Sequence, residues 1–282
     1  MRERQTYAWR LLVTGTCFVL FGLGGLLLGL LVFPAMLMLP GGPERRRVRT
    51  RATVQRSFRL FVAVMSGLRG LQYEFHGAER LGRPGQLIIA NHPTLIDVVF
   101  IVAFTPAPAC VVKAALFANP FTRHVVRAAG YIRNAPTEEM IERSVAALRS
   151  GDALVMFPEG TRTRADQPLA FHRGAASVAV RGAAVLTPIY IHVDQPVLDK
   201  TLPWYKVPPR LPRFSIRVGE DIDLGPFRSA PPPRASRQLN DCLMGAYEKE
   251  LARLRGYNGP RDASEIHESG PGEPAGAHAD EK

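Results

Sequence analysis

The longest apolar stretch in the chain is LLVTGTCFVLFGLGGLLLGLLVFPAMLML, and no charged residue falls between Leu11 and Pro43. Its length predicts a membrane segment. As one continuous helix it would run to about 45 Å, against roughly 30 Å of hydrocarbon. It must therefore tilt, break near Pro34, or lie partly along the interface. Gly22, Gly24, Gly25 and Gly29 predict a close helix–helix contact or a bend. A helix buried in a soluble core is the plainer alternative. A signal peptide would need a shorter apolar region and a small-residue cleavage site, and neither is present.

A different pattern follows in ERRRVRTRATVQRSFRLFVAVMSGLRG. Seven arginines fall between Arg45 and Arg59, and Phe58, Phe61, Val62, Met65 and Leu68 recur at helical spacing. This predicts a basic amphipathic helix on a membrane surface, attracted by anionic lipid. A nucleic-acid patch is the alternative, but no nucleic-acid fold is recognisable around it. If the first segment spans, the arginine excess puts this flank, and the domain after it, on the cytoplasmic side of the cell membrane.

From Leu71 the pattern alternates between strand-like and helical runs. QLIIA, ACVVKA, GYIRN, DALVMF, AAVLTPIYIHV and RFSIRVGEDIDL read as strands. TLIDVVFIVAF, NPFTRHVVRAAG, TEEMIERSVAALRSG, GAASVAVRG and ASRQLNDCLMGAYEKELARLR read as helices. Thr137 is placed to cap the third of these, with Glu138 and Glu139 in its first turn. The fold class is therefore α/β, a largely parallel sheet flanked by helices. The expected organisation is a membrane segment at 1–44, an interfacial helix at 45–70, a catalytic domain at 71–256 and a disordered acidic tail at 257–282. SAPPPRAS reads as a connector.

Charge narrows the choice of partner. The chain carries a formal +11, with 31 arginines against 5 lysines. The last twenty residues hold five acids and one lysine, so residues 1–262 carry +15. Such a surplus favours an anionic membrane, a phosphate-bearing ligand or nucleic acid. Cys17, Cys110 and Cys242 are widely spaced and form no CxxC, which argues for a reduced compartment and against a metal site.

Two stretches fall beyond the carboxyl ends of strands, where open α/β sheets gather ligand groups. In NHPTLID, Thr94 and Asp97 make a capping-box-like helix start, with Asn91 and His92 as turn residues. The same spacing would let Asp97 reach one nitrogen of His92, fixing its tautomer and supporting its protonated form. No serine or cysteine nucleophile lies close by, which suggests that a substrate brings its own hydroxyl. In PEGTRTR, Glu159, Arg162 and Arg164 sit in a turn. This is either a solvated polar turn or a phosphate site, since arginine forks suit phosphate and Gly160 permits close backbone approach.

Together NHPTLID and FPEGTR resemble the two signatures of the glycerolipid acyltransferases of the lysophosphatidic acid acyltransferase type. The likeness extends through Lys113, Gly130 and Arg133 and through FHRGAASVAVRGAAVLTPIYI. It covers roughly Leu71 to Val193 well and is looser to Arg255. One departure is visible: the family usually has lysine after the phenylalanine, where this chain has His172 followed by Arg173.

The resemblance implies acyl transfer from a thioester, on coenzyme A or acyl carrier protein, to a free hydroxyl of a lysophospholipid, with no cofactor and no metal. It makes His92 the general base and Asp97 its orienting partner. It implies that Glu159, Gly160 and Arg162, with Asn91 and Thr161, hold the acceptor, and that Arg133 and Lys113 add charge. The acceptor expected is 1-acyl-glycerol-3-phosphate, giving phosphatidic acid. Another lysolipid is the nearest alternative, and a non-catalytic lipid-binding protein anchored to the membrane is the alternative of another class. The partners expected are anionic membrane lipids and the acyl carrier, with no nucleic acid.

Overall fold

The computed structural model describes residues 7–135, 137–163, 167–198, 200 and 202–256. The acidic tail and Arg164 lie outside the described residues.

The N-terminal apolar stretch is one rod. Helix α1 (Tyr7–Leu27) passes through a π-turn (Leu28–Val32) into α2 (Phe33–Leu37). Proline lacks an N–H, and its ring crowds the carbonyl four residues earlier. For Pro34 that carbonyl belongs to Leu30, and the helix widens there rather than breaking. Long and apolar enough to cross a membrane, the rod is also mostly exposed. Three of its glycines meet the segment Phe121–His124. A Cβ on Gly25 would lie 2.3 Å from the Phe121 carbonyl oxygen, and one on Gly29 would lie 2.6 Å from His124 Cβ. Gly22 faces the Phe121 ring, whereas Gly24 faces open space.

Helix α3 (Pro43–Gly67) is the predicted basic helix, but its apolar side is not available to lipid. Val54, Val62 and Met65 are buried, and Phe58, Phe61 and Leu68 pack on the same interior as α4 (Asp97–Phe104). The periodicity was that of a core-facing helix, which an interfacial helix shares. Arg51 is also inside, at 2% exposure. Its Nε donates to the Ala129 carbonyl at 2.9 Å, and its Nη1 lies 2.8 Å from Asp152 Oδ1.

Seven strands form one sheet: β1 (Gln72–His76), β2 (Gln86–Ala90), β3 (Ala109–Lys113), β4 (Ile132–Asn134), β5 (Leu154–Met156), β6 (Val185–Val193) and β7 (Arg213–Val218). Their order is β1-β7-β6-β2-β5-β3-β4, and only the β6–β7 pair is antiparallel among the described residues. The central strand β2 is buried on both sides, which explains its unbroken apolar run. Helices α3, α4 and α5 (Arg123–Ala128) lie toward one interior. Helices α6 (Glu138–Arg149), α7 (Gly174–Gly182), the short α8 (Gly225–Arg228) and α9 (Pro232–Gly256) line the other.

Two local readings are corrected. Thr137 stands at the N-cap of α6 but makes no side-chain cap bond; Glu138 instead pairs with Arg181 of α7. The last five residues of the tract read as a connector already belong to α9, which starts at Pro232, because prolines in a first turn forgo no helical hydrogen bond. Late in α9, the buried Tyr247 hydroxyl lies 2.8 Å from the Ile89 carbonyl and 3.2 Å from that of Ile189. It ties the end of β2 to the middle of β6.

Removing one member of a buried ion pair strands the other. Arg51→Ala should lower the unfolding free energy by about 3 kcal/mol, read by urea denaturation in detergent. A loss within the range of an exposed pair, below about 1 kcal/mol, would show that Arg51 does not anchor α3.

Candidate active site

Parallel pairing sets Ile89 of β2 opposite Met156 of β5. Both strands then leave the sheet on the same side, and the two singled-out stretches emerge as neighbours. Asp97 opens α4 and is fully buried. Its Oδ2 lies 2.9 Å from His92 Nδ1 and accepts the Thr94 N–H at 2.6 Å. Its Oδ1 accepts the Thr94 hydroxyl at 2.6 Å. The helix-start reading and the catalytic-pair reading therefore describe one carboxylate. Because that carboxylate accepts, Nδ1 carries the imidazole proton and Nε2 is left as the basic nitrogen. The ring is mostly buried and packs on Phe157, with centroids 4.4 Å apart.

Glu159 and Asn91 serve differently from the expectation. Glu159 Oε1 accepts the His92 main-chain N–H at 2.7 Å, and its other oxygen accepts the Thr163 hydroxyl. At 4% exposure, a carboxylate so engaged is not placed to hold a phosphate, which it would repel. It holds the two stretches together. The Thr163 N–H adds a second tie, to the His92 carbonyl at 3.1 Å. Asn91 is also spent inside: its amide donates to the Ile191 carbonyl at 2.7 Å and accepts the Ile191 N–H at 2.8 Å. It extends the β2–β6 ladder through a side chain rather than facing a ligand.

The cations divide into two places. Gly160, at φ +66°, closes the turn by donating to the Phe157 carbonyl, and His172 packs against it. Beyond it, Lys113 Nζ lies 3.4 Å from the Thr161 hydroxyl. Burial lowers the Lys113 pKa, and the charges of Arg162 and Lys200 lower it further. Three cations thus share one field with no acid among the causes of that shift. Arg162 also donates to the Leu198 carbonyl at 2.7 Å, and the Leu95 N–H donates to the same oxygen at 3.1 Å. The β6–β7 loop is thereby fastened to both stretches. Arg133 stands apart on the edge strand, its guanidinium 5.0 Å over the Phe117 ring. The sequence reading passed over Lys200, Thr163 and Leu198. Thr163 was the most legible of these, as a hydroxyl in the same turn as Glu159.

With this geometry in place, comparison with known proteins gives a consistent result. Residues 72–192 match the family described as Acyltransferase. A Pseudomonas aeruginosa protein named 1-acyl-sn-glycerol-3-phosphate acyltransferase is 25% identical over 155 residues, 53% of this chain and 60% of that protein. A Saccharomyces cerevisiae protein of the same name is 29% identical over 143 residues, 47% of each chain. The chain therefore matches about half the length of these relatives. The crystal structure of the 1-acyl-sn-glycerophosphate (LPA) acyltransferase PlsC from Thermotoga maritima shares the fold. Its TM-score is 0.65 at 16% identity, covering 89% of this chain and 98% of that one. The domain is an acyltransferase domain. Over these residues it is similar to the glycerolipid acyltransferases.

Burial pushes the Glu159 carboxyl up to about 7, against the opposing pull of the His92 N–H. The nearby Asp97 charge adds to the rise. Unfolded, the group titrates near 4.5, so the native state holds the proton more tightly between these values. Its contribution is most favourable at the acid end and is lost as the pH rises through about 7. The amide of Glu159→Gln can still accept the His92 N–H but does not titrate. Across this window the variant should lose about 3 kcal/mol less stability than the parent. Parallel stability–pH curves would show that Glu159 is charged throughout.

Proposed function

We propose that the chain is a membrane-associated O-acyltransferase moving an acyl group from a thioester to the free hydroxyl of a lysophospholipid, with 1-acyl-glycerol-3-phosphate as acceptor and phosphatidic acid as product. The observation that carries this is the His92–Asp97 pair, held beside the Lys113, Arg162 and Lys200 field. Nε2 takes the acceptor's hydroxyl proton as its oxygen attacks the thioester carbon. The imidazolium that forms is supported by the Asp97 carboxylate. Collapse of the tetrahedral adduct breaks the C–S bond, and the thiolate leaves with the proton from His92. One ester and one thiol are formed, and no acyl-enzyme intermediate is required. The three cations hold the acceptor's phosphate, placing its hydroxyl near the base.

The apolar rod supports the membrane part of the proposal, with Leu23, Leu27, Leu30, Leu31 and Met38 exposed along it. The arginines at the start of α3 lie where they can meet anionic head groups. The deciding experiment presents purified protein with a panel of lysolipids and acyl thioesters on both carriers, with products read by mass. Lysolipid in anionic vesicles should be turned over faster than a short soluble analogue. Equal rates would remove the membrane requirement, and no acyl transfer to any lysolipid would remove the proposal.

His92→Ala should lower kcat by about 10²–10⁴-fold, the scale of a positioned general base. An unchanged rate in a folded variant would reduce the His92–Asp97 pair to a helix start. Arg162→Lys keeps the charge but loses the planar fork. It should raise KM for the phosphate-bearing acceptor with less effect on kcat. If instead neutral and anionic acceptors suffer alike, Arg162 does not read the phosphate.

A further inference from the structure

Arg133 does not join the other cations, and its own surroundings form a second cleft. A cavity of about 330 Å³ opens off the edge strand β4, lined by Phe117, Arg133, Thr137, Glu139, Met140 and Arg143 among others. Register explains the separation. Lys113 pairs with Asn134, whereas Arg133 pairs with Val112, so the two cations leave adjacent strands on opposite faces. The Phe117 ring holds the Arg133 guanidinium flat, and Arg127 steadies Phe117 by donating to its carbonyl at 3.3 Å. Across the cleft, Arg143 is half exposed, with Glu139 as its neighbour at 3.9 Å. An exposed pair of this kind is weak and yields to a stronger anion.

We infer that this cleft takes the phosphate of the acyl donor's carrier. The inference rests on the acyl-transfer reading above and assigns the donor's end of the same site. Its argument is a distance. In the sheet order, β4 lies three strands from β2, about 14 Å at the usual spacing. His92 stands at the end of β2. A pantetheine arm has a backbone equivalent to between four and five residues, so it reaches about 16 Å when extended. With the thioester at His92, the phosphate at the arm's other end falls at the edge strand, beside the cavity that Arg133 and Arg143 line. The acceptor's phosphate belongs to the nearer cations, so the two anions of the reaction are bound at separate places. Coenzyme A and acyl carrier protein share the phosphate that ends the pantetheine arm, and the cleft recognises what they have in common.

The test uses the full-length protein with one acyl chain offered on three carriers: coenzyme A, acyl carrier protein and N-acetylcysteamine, which has no phosphate. Wild-type turnover of the phosphate-free thioester examines the acyl-transfer reading by itself. If that fails for every donor, the function is wrong, independently of the cleft. Arg143→Glu changes an exposed residue, and it should lower kcat/KM for phosphate-bearing donors about tenfold relative to the phosphate-free one. Glu139→Gln removes the competing carboxylate and should lower KM for the phosphate-bearing donors. A purely structural role would not produce that gain. Equal losses on both natural carriers point to the shared pantetheine phosphate, and a loss confined to one names that carrier as the source. An unchanged ratio between donors, or a rise in acceptor KM instead, overturns the assignment.

Discussion

The site depends on one hydrogen bond across two parallel strands, from the His92 main-chain N–H to the Glu159 carboxylate. The two residues are 67 positions apart in sequence, and each lies three residues past an in-register pair, Ile89 and Met156. Parallel pairing is the precondition. It makes both strands leave the sheet on the same side, so the stretch with the base and the stretch with Arg162 face each other. A shift of one residue in either strand would turn every side chain beyond it to the other face. The Glu159 bond, the Thr163 bond to the His92 carbonyl and the Tyr247 bond to Ile89 all pin that register. Much of the buried polar chemistry near the site therefore serves alignment.

This also explains which parts were readable in the chain. QLIIA and DALVMF are local signals, and so is the five-residue step from His92 to Asp97. Each was legible because its cause lies within a few residues. Glu159 was misassigned because its partner is distant, and nothing in PEGTRTR says that its carboxylate turns inward to a main-chain N–H. Asn91 failed in the same way, through a partner on β6. The apolar face of α3 could not be apportioned between lipid and α4, since both ask for the same periodicity. The strand β1 was missed because it is half-buried and takes its order from β7. Fold class needed only the sum of local signals, whereas the wiring of the site required knowing which distant segments meet.

Charge is distributed with the same logic. A surplus of arginine across a small protein costs stability through self-repulsion. Arg51 relieves part of this by turning inward to Asp152, and Arg83 does so by pairing with Asp221 at the far end of the sheet. Arg162 and Lys200 both lower the pKa of Lys113, so these three cations are close enough to feel one another. The sheet also separates this group from Arg133, so two anions could be present together without sharing one set of donors.

Synthesis delivers these pieces in an unfavourable order. The apolar rod is complete at Leu37, yet β1 waits for a partner 141 residues further on, and the Ile89 carbonyl waits 158 residues for Tyr247. Closures over such separations are slow. A growing chain therefore presents its greasy leading end and its arginines long before it owns a working centre. The centre is complete only when α9 arrives.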